Sequence, residues 1–522
     1  MLKLMWSPWW DVDEAKFVTP LALLFTLFWY LLIWKKSRKS TTPLPPGPRG
    51  LPLLGYLPFL GTDLHHDLTN LAKTYGPLYK LKLGTKLYFV ISSPTLVKQV
   101  LHDHETIFSN RDATVAAQIA SYGGTDIAFA PYGPDWRKLR KVVMNHTLSN
   151  ANVDACYALR KEEVDRSISH IYGKVGTPID FGDVAFFTSI NTLKSLVWSG
   201  TQQEEKGATD VGVEWRKVVK EIIGLLVKPN VSDFFPMLAR FDIQGIRRRQ
   251  QKAISVTDKI ISSAIEIQMS MPPSKNEGLQ KKKKGRKDLL EFLLELHNKD
   301  SATLTMQEIK ALLMDLLTGG SDTTTTMMEW VMTELMQNPE EMRKVQEELT
   351  EIVGLNNLVE EFHLPKLHYL DAVIKETFRL HPALPLLVPH RVTPSTTLGG
   401  YTIPKGSSVF LNIWANHRDS SVWESPLEFR PQRFINDPSK FNYKGSRPEF
   451  LPFGSGRRRC VGMPLGERML IHVLASFLHL FEWRLPHGAK PDFLESFGVV
   501  TRKLNQLVVI PTPRLSTLEL YP

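Results

Sequence analysis

The amino-terminal part of the chain contains an apolar run at residues 18–34 without a charged side chain. A helix of this length crosses the hydrocarbon core of a bilayer. Trp29 and Trp34 lie in its second half, where aromatic rings favour the membrane interface. Acidic residues precede the run and basic residues follow it from Lys35 onward, which argues against a cleaved signal peptide. The pattern predicts an uncleaved single-pass anchor, with the rest of the chain in the cytosol.

Beyond the anchor, apolar residues recur at spacings of three and four, which is typical of amphipathic helices. An alternating stretch at 79–92 instead predicts a β-hairpin around Gly84 and Thr85. The longest helical pattern contains the pair Gly319 and Gly320, which permits a kink or a local opening. The sequence therefore predicts a mostly α fold with small β-sheets. The predicted helices are 134–147, 151–172, 182–198, 210–227, 245–270, 305–336, 366–380 and 463–482.

No internal repeat or change of composition divides the chain after residue 50, so we expect one large body behind the anchor. The proline-rich stretch 43–48 favours an extended conformation, which predicts a stiff spacer outside the core. The predicted organisation is a short lumenal N-terminus at 1–17, a transmembrane anchor at 18–34, a basic and proline-rich hinge at 35–50, and a globular domain at 51–522.

The formal net charge of +10 would fit a nucleic-acid partner. Much of the excess, however, lies in short runs such as Lys281–Lys287, which we interpret as a solvated loop. No nucleic-acid motif accompanies these runs, so we expect no nucleic-acid partner. The two cysteines, Cys156 and Cys460, cannot form a disulfide framework, which fits a body in a reducing compartment.

Cys460 lies in the segment Phe453–Gly462, which reads FGSGRRRCVG. Glycines let the backbone approach a flat cofactor closely and adopt positive φ. Arginines favour an ionised sulfur and pair with carboxylates. A lone thiolate in this setting is a suitable ligand for haem iron. The alternative, a buried structural cysteine, does not account for all five fixed positions of the pattern F-x-x-G-x-R-x-C-x-G.

This segment resembles the cysteine-ligand loop of the cytochrome P-450 (haem-thiolate) monooxygenases, and other stretches resemble the plant microsomal type. The resemblance covers nearly the whole chain and implies the cytochrome P-450 fold for the catalytic domain at 51–522. It implies haem b, held by the thiolate of Cys460 and contacted by Phe453. It also implies insertion of one oxygen atom from O2, and a location in the endoplasmic reticulum membrane with the domain on the cytosolic side.

A second motif, GGSDTT at 319–324, places an acid beside two alcohols inside the long helical pattern. A threonine within a helix can bond a backbone carbonyl and, beside glycine, open a groove. A threonine-rich solvent face is the alternative, since the threonines continue to Thr326. The motif resembles the family's A/G-G-x-D/E-T segment, which implies Thr323 as the alcohol on the oxygen side and Asp322 as the proton-relay acid.

Glu376 and Arg379 lie three residues apart on one predicted helix. Most such pairs are exposed and contribute little. The resemblance implies that Glu376, Arg379 and Arg433 instead form a buried network that supports the cysteine loop.

Trp136 and Arg140 share one helical face at i, i+4, and both side chains can donate to a carboxylate. The resemblance assigns them to a haem propionate, with Arg458 as a further donor. His390 or Arg391 is an additional candidate by position. An ordinary structural histidine is an equal alternative for His390.

Electrons must come from another protein, because the chain has no dinucleotide fingerprint. The glycines at 454 and 456 begin G-x-G-x-x-G, but Arg459 stands at the third glycine position. The resemblance implies NADPH–cytochrome P-450 reductase as the partner. Lys138 and Lys141, with the region of Arg457, predict a basic proximal face that suits an acidic, membrane-bound reductase.

The segments that line the pocket in relatives correspond to Ala113–Ala130, Ala311–Thr318, Ala383–Val388 and Ser496–Val500, which are largely apolar. They predict a hydrophobic small-molecule substrate. Stretches such as KPNVSD at 228–233 resemble the plant clan of cadinene-type sesquiterpene hydroxylases, so we expect a terpenoid. A flavonoid or other phenolic is the alternative substrate. A membrane haem protein without turnover is the alternative class, which the acid–alcohol pair disfavours.

Overall fold

The computed structural model describes residues 43–198, 208–270, 288–301, 303–436 and 441–521. The predicted anchor at 18–34 and the run Lys281–Lys287 lie outside these ranges. Among the helices that are described, none is long and apolar enough to cross a membrane.

Helices form most of the described chain, and the predicted hairpin and mostly α character are confirmed. The helices are α1 Leu64–Tyr75, α2 Pro94–Lys98, α3 Glu105–Phe108, α4 Val115–Ala120, α5 Pro134–His146, α6 Asn150–Ala155, α7 Tyr157–Tyr172, α8 Phe181–Trp198, α9 Ala208–Val227, α10 Val231–Phe234, α11 Ile246–Ser270, α12 Leu289–Lys299, α13 Met306–Gln337, α14 Pro339–Val353, α15 His368–Leu380, α16 Ile413–Asn416, α17 Gln432–Ile435 and α18 Met463–Leu480.

In the part of the chain that the structure describes, the strands are short and form four small sheets. They are β1 Leu78–Leu83, β2 Lys86–Ile91, β3 Asn110–Arg111, β4 Ile179–Asp180, β5 His390–Arg391, β6 Thr396–Leu398, β7 Tyr401–Ile403, β8 Ser408–Leu411, β9 Phe481–Arg484, β10 Glu495–Ser496, β11 Arg502–Lys503 and β12 Val508–Pro513. The largest sheet has the order β1-β2-β8-β5-β3, with β2 and β8 parallel and Phe89 opposite Val409. A second sheet has the order β4-β12-β9, while β6-β7 and β10-β11 are two-stranded.

The long helix α13 is the centre of the core and packs against α8, α15 and α18. It begins with a capping box, in which the Thr305 hydroxyl accepts from the Glu308 N–H and the Glu308 carboxylate accepts from the Thr305 N–H. The glycine pair does not interrupt the helix. Gly320 allows close packing, because a Cβ there would lie 2.9 Å from Cδ1 of Leu193 on α8. A Cβ on Gly319 would meet nothing within 4 Å, so α13 has a tightly packed face and an open face.

Three features differ from the sequence predictions. The predicted helix 151–172 is two helices, because the backbone at Cys156 has φ −93° and ψ 11°. Helices α1, α12 and α14 were not predicted. In α14, the buried stripe Val345, Leu349 and Val353 is embedded among charged residues. The proline stretch is not a free spacer, because Pro45 is buried and accepts a hydrogen bond from Lys80 Nζ at 2.8 Å.

We expect Gly320→Val to lower the free energy of unfolding by about 1–3 kcal/mol, because the new side chain overpacks the contact between α8 and α13. Gly319→Ala is the matched control. It adds a methyl group to open space and removes a helix-destabilising glycine, so stability should be unchanged or higher. Urea unfolding of both variants measures the difference. Equal destabilisation by the two substitutions would contradict the packing assignment.

Candidate active site

The cysteine loop, residues 453–462, leads into the N-terminus of α18. The Cys460 N–H donates to the Phe453 carbonyl oxygen at 3.0 Å and closes the loop. Gly456 has φ 67°, and a Cβ there would lie 2.5 Å from the Leu101 carbonyl oxygen. A side chain at this position would therefore displace the loop. Arg457 Nε donates to Glu105 Oε2 at 2.9 Å and ties the loop to α3.

The Cys460 thiol combines accessible surface with a deeply enclosed position. These two properties occur together when a side chain faces an internal space instead of bulk solvent. Burial raises the pKa of Cys460, while the backbone N–H of Gly462, the Arg140 guanidinium and the N–H of Met463 act in the opposite direction. The sulfur therefore has donors and a cation arranged to stabilise its ionised form, as a metal-ligating thiolate needs.

Glu376 and Arg379 are both completely buried on α15. The Arg379 guanidinium binds the Glu376 carboxylate through two hydrogen bonds, Nε–Oε2 at 2.7 Å and Nη2–Oε1 at 2.8 Å. Arg433 Nε donates to Oε1 of the same carboxylate at 3.1 Å. The Arg430 backbone N–H completes its environment at 2.8 Å. The structure thus brings the three predicted support residues into direct contact.

This network reaches the cysteine loop through His417. Arg379 Nη1 donates to the His417 carbonyl oxygen at 3.0 Å, and His417 Nε2 accepts from the Leu451 N–H at 3.0 Å. Burial lowers the pKa of His417 to about 3, so its ring is neutral and able to accept. From the same helix, the Phe378 ring packs 5.3 Å from the Phe453 ring, measured between centroids. Charge pairing in α15 and the position of the loop are therefore connected by hydrogen bonds and ring contacts.

Three half-buried arginines, Arg111, Arg140 and Arg458, form a group of cations at the cysteine loop. Burial lowers the pKa of Arg111 to about 9 and of Arg458 to about 10, and it lowers the pKa of Arg140 as well. Within the described ranges none of the three forms an ion pair within 4 Å, although Asp126 contributes a favourable field at Arg111 and Arg458. Buried charges without partners are costly. A bound group with two carboxylates, such as haem, would neutralise them, so these residues fit the expected cofactor.

Two of the predicted propionate donors are engaged by backbone oxygens. Trp136 Nε1 donates to the Ile127 carbonyl oxygen at 3.0 Å. Arg458 donates to the same oxygen at 3.1 Å and to the Ser109 oxygen at 2.7 Å, while its guanidinium lies 4.4 Å from the Trp136 ring centroid. For the Arg140 guanidinium the described residues offer no hydrogen-bond partner, only the Trp136 ring at 5.5 Å. Arg140 is therefore the predicted donor with most capacity for a ligand.

His390 is buried on β5, and its Nδ1 lies 2.7 Å from the Phe108 carbonyl oxygen. Burial, with Arg111 nearby, lowers the pKa of His390 well below its usual value. A neutral ring that donates through Nδ1 has no second N–H for a propionate. Arg391, the alternative, is exposed. Arg111, which the sequence analysis did not select, has a buried Nε without a partner among the described residues and is the better candidate.

The open face of α13 carries Asp315, Gly319 and Thr323 at spacings of four residues, which place them in one row. The Thr323 hydroxyl donates to the Gly319 carbonyl oxygen at 2.7 Å. Gly319 is exposed in the middle of an otherwise buried helix. Ile127 links this row to the cysteine loop, because its N–H donates to Asp315 Oδ2 at 2.7 Å and its carbonyl oxygen accepts from Arg458. Thr323 thus lies on the face of α13 that borders internal space.

Asp322 points to a different side of α13 from Thr323. Its Oδ1 accepts a hydrogen bond from Arg502 Nε at 2.8 Å and lies 2.7 Å from Arg502 Nη2 in the same ion pair, while Oδ2 is buried without a partner among the described residues. A cavity of about 80 Å³ adjoins the pair and is also bordered by Arg216, Lys220 and Thr326. The predicted acid and alcohol are therefore adjacent in sequence but face different surroundings. Arg502 was not predicted.

A pair of acids, Asp126 and Asp315, was also missed by the sequence analysis. Burial raises the pKa of Asp126 to about 6, and burial together with the Asp126 charge raises that of Asp315 well above its usual value. Because a charge on Asp126 disfavours a second charge on Asp315, the pair favours a state in which one of the two carboxyl groups is protonated. Asp126 Oδ1 also accepts from the Phe129 and Ala130 N–H groups at 2.9 and 2.8 Å. The pair connects residues 126–130 to α13. No local sequence motif predicts it.

We expect Glu376→Ala to lower the free energy of unfolding by about 3–5 kcal/mol, because it leaves two buried arginines without their carboxylate. Haem retention, measured as haem absorbance per mole of purified protein, should be lost with it. The matched control is Glu340→Ala, which removes an exposed i, i+3 partner of Arg343 on α14 and should change stability by less than about 0.5 kcal/mol. A folded, haem-loaded Glu376→Ala protein would disprove the supporting role.

Comparison with known proteins agrees with this geometry. The family model described as Cytochrome P450 matches residues 45–510. The chain is 38% identical to carnosic acid synthase of Salvia pomifera over 475 residues, covering 90% of this chain and 93% of the relative. It is 37% identical to flavonoid 3'-monooxygenase of Petunia hybrida over 496 residues, covering 92% and 94%. A zebrafish cytochrome P450 solved with progesterone superposes with a TM-score of 0.74 at 28% identity, covering 86% of this chain and 99% of that one. The chain belongs to the cytochrome P450 family.

Proposed function

We propose that this cytochrome P450 monooxygenase inserts one oxygen atom into an apolar terpenoid, a sesquiterpene by preference, and that the thiolate of Cys460 would hold its haem iron. The observation that carries the site assignment is the Cys460 thiol, accessible yet closely surrounded, beside half-buried arginines that have no carboxylate within 4 Å among the described residues. Haem iron, when bound, supplies the activation of O2. The chain contributes the thiolate, the cations for the haem carboxylates, a proton route and a shaped apolar wall.

The proton route that we propose begins at the cavity beside Asp322. Oδ2 of Asp322, which accepts nothing from Arg502, is buried at rest, and waters in this cavity would deliver protons to it when the side chain turns and uncovers it. Rotation of the Asp322 side chain away from Arg502 would then bring the proton to the side of Thr323. The Thr323 hydroxyl, released from its bond to the Gly319 carbonyl oxygen, would pass this proton toward the open face of α13. Arg502 thereby holds the acid in its resting position.

Apolar side chains support the proposed substrate class. In the predicted lining segments, Ala128, Phe129, Leu384 and Val499 are half-buried. The Thr501 N–H donates to the Ala383 carbonyl oxygen at 2.9 Å and brings two of these segments together. By contrast, Leu312, Leu313 and Leu317 are fully buried core residues. An apolar wall suits a hydrocarbon-like substrate.

A flavonoid or other phenolic is the second candidate substrate. The relatives include both a carnosic acid synthase and a flavonoid 3'-monooxygenase at nearly equal identity. Asp315 is half-buried on the open face of α13, and a phenolic hydroxyl that reached its carboxyl group would hydrogen-bond to it.

The membrane is the proposed site of action, in the endoplasmic reticulum with the domain on the cytosolic side. The β1–β2 turn binds two segments, with the Gly84 N–H on the Leu54 oxygen and the Thr85 N–H on the Phe234 oxygen, both at 3.0 Å. Apolar side chains near both segments are exposed, namely Leu53 at 72%, Met237 at 89%, Phe241 at 57% and Ile243 at 61%. An exposed apolar patch of this kind suits a lipid surface.

NADPH–cytochrome P450 reductase is the proposed electron donor. Of the predicted basic residues, Lys138 pairs with Glu308 at 2.7 Å and Arg457 with Glu105 at 2.9 Å. Lys141 remains exposed. We therefore propose that Lys141 and its neighbour Arg137, also exposed, contribute more to reductase docking than Lys138 does.

We expect Thr323→Ala to reduce product formation about 100-fold, because proton delivery loses its final hydroxyl. NADPH consumption should continue, with the electrons recovered as peroxide, and the red-shifted carbon-monoxide spectrum should remain. The ratio of product to NADPH and the peroxide yield measure this effect.

Thr333→Ala is the matched control, because Thr333 makes the same kind of bond to a helix carbonyl, Glu329 at 2.7 Å, but is fully buried. It should leave the ratio of product to NADPH unchanged.

Cys460→Ala should abolish both turnover and the red-shifted carbon-monoxide spectrum. Full coupling in Thr323→Ala would refute the proton role, and a retained spectrum in Cys460→Ala would refute the ligand assignment.

Co-expression with a plant reductase, followed by feeding of sesquiterpenes and flavonoids in separate panels, tests the substrate. We expect a product one oxygen atom heavier in the sesquiterpene panel, detected by mass spectrometry. A product from flavonoids alone would establish the second candidate. Haem-loaded protein with reductase-dependent NADPH use but no product in either panel would reject both substrate classes.

A further inference from the structure

Two adjacent histidines of α1, His65 and His66, lie close to Glu495 of β10. One ligand atom from each residue lies within 4.8 Å of the others. His65 Nε2 and Glu495 Oε2 are 3.1 Å apart. None of these residues belongs to the machinery assigned above, so the cluster requires a separate explanation.

The immediate surroundings hold this cluster in place. His65 is completely buried, and its Nδ1 has no hydrogen-bond partner in the described chain. The Phe497 ring stacks on His65 with centroids 5.3 Å apart, and Trp414 presents its edge to both imidazoles at 5.6 and 4.7 Å. Nε2 of His65 thus contacts Glu495, while Nδ1 has no partner in the described chain and the ring is held between aromatic side chains.

A second layer of side chains orients the carboxylate. Glu495 Oε1 lies 3.5 Å from His381 Nδ1, and His381 Nε2 lies 2.7 Å from Glu334 Oε1. The Trp330 ring stacks on His381 at 4.1 Å with an interplanar angle of 4°. Carboxylates that bind metals are commonly held by such outer partners, which fix the direction of the free oxygen.

Two imidazoles and one carboxylate are a ligand set that zinc prefers, with water in the fourth position. Ligand atoms bound at about 2.0 Å in a tetrahedron are about 3.3 Å apart, close to the 3.1 Å between His65 Nε2 and Glu495 Oε2. A nearby cation, Arg418, donates to the Trp414 oxygen at 3.4 Å and to the Leu380 oxygen, so carbonyl groups hold its donors.

We propose that His65, His66 and Glu495 bind one Zn²⁺ ion, which joins α1 to the β10–β11 hairpin. The site is independent of the haem and of the proposed substrate. In the hairpin, Ser496 pairs with Arg502, the partner of Asp322. The ion would therefore fix the hairpin that carries both a predicted wall segment of the substrate pocket and the arginine that holds the relay acid.

The test uses the full, haem-loaded chain without a polyhistidine tag, dialysed against micromolar ZnCl2 and analysed for metal. We expect one zinc per chain above the content of a chelator-treated sample, and an unfolding midpoint that rises with zinc concentration. His66→Ala and Glu495→Gln should each lose this equivalent, with affinity at least about tenfold weaker. His66 is half-buried, so its replacement should preserve the fold and the haem spectrum.

His170→Ala is the matched control, because His170 is an exposed histidine on α7 and its loss should leave zinc binding intact. The proposal is overturned if the unmodified chain binds no stoichiometric zinc. It is equally overturned if His66→Ala and Glu495→Gln, with normal haem spectra, retain the same zinc content as the unmodified chain. Neither result depends on turnover, so the monooxygenase proposal is tested separately.

Discussion

The pairing of buried charge around Glu376 is the interaction on which the rest of the site depends. Glu376 and Arg379 are fully buried, and every donor of the Arg379 guanidinium has an acceptor. The acceptors include main-chain oxygens of the segment that precedes the cysteine loop, so the pair organises a long irregular stretch that has little regular structure of its own. Buried ion pairs contribute little net stability but are very costly to break. This pair therefore acts mainly to specify one conformation of the chain beneath Cys460.

The sequence predicted those parts of the fold that the spacing of apolar residues and the positions of glycine and proline encode. Seven of the long helices, the hairpin at residues 79–92 and the cysteine loop follow from local patterns, and their ends agree within about two residues. Helix α14 was not predicted, because its apolar stripe is narrow and surrounded by charged residues. The division at Cys156 also lacks a signal, because neither glycine nor proline marks it. Local sequence therefore defines elements better than it defines their interruptions.

The candidate site was less accessible to sequence reasoning, because side-chain direction depends on distant segments. The motif at 319–324 identified Asp322 and Thr323, but only the fold shows Asp322 turned toward Arg502, 180 residues later. Asp126 and Asp315 are likewise 189 positions apart, as their numbers show, and each looks ordinary alone. The raised pKa values of the Asp126–Asp315 pair and the pairing of Asp322 with Arg502 both arise from contacts between segments that are distant in sequence. They have no local motif.

The group Arg111, Arg140 and Arg458 affects the stability of the newly made chain. Without a dicarboxylate these cations repel one another in a poorly solvated region, so the empty polypeptide retains an electrostatic cost. A ligand that removes this cost binds the folded chain and not the unfolded one, and its binding free energy adds to folding stability. The supply of haem thus sets the fraction of newly made chains that persists. When synthesis exceeds that supply, the surplus chains remain marginal and become substrates for quality control.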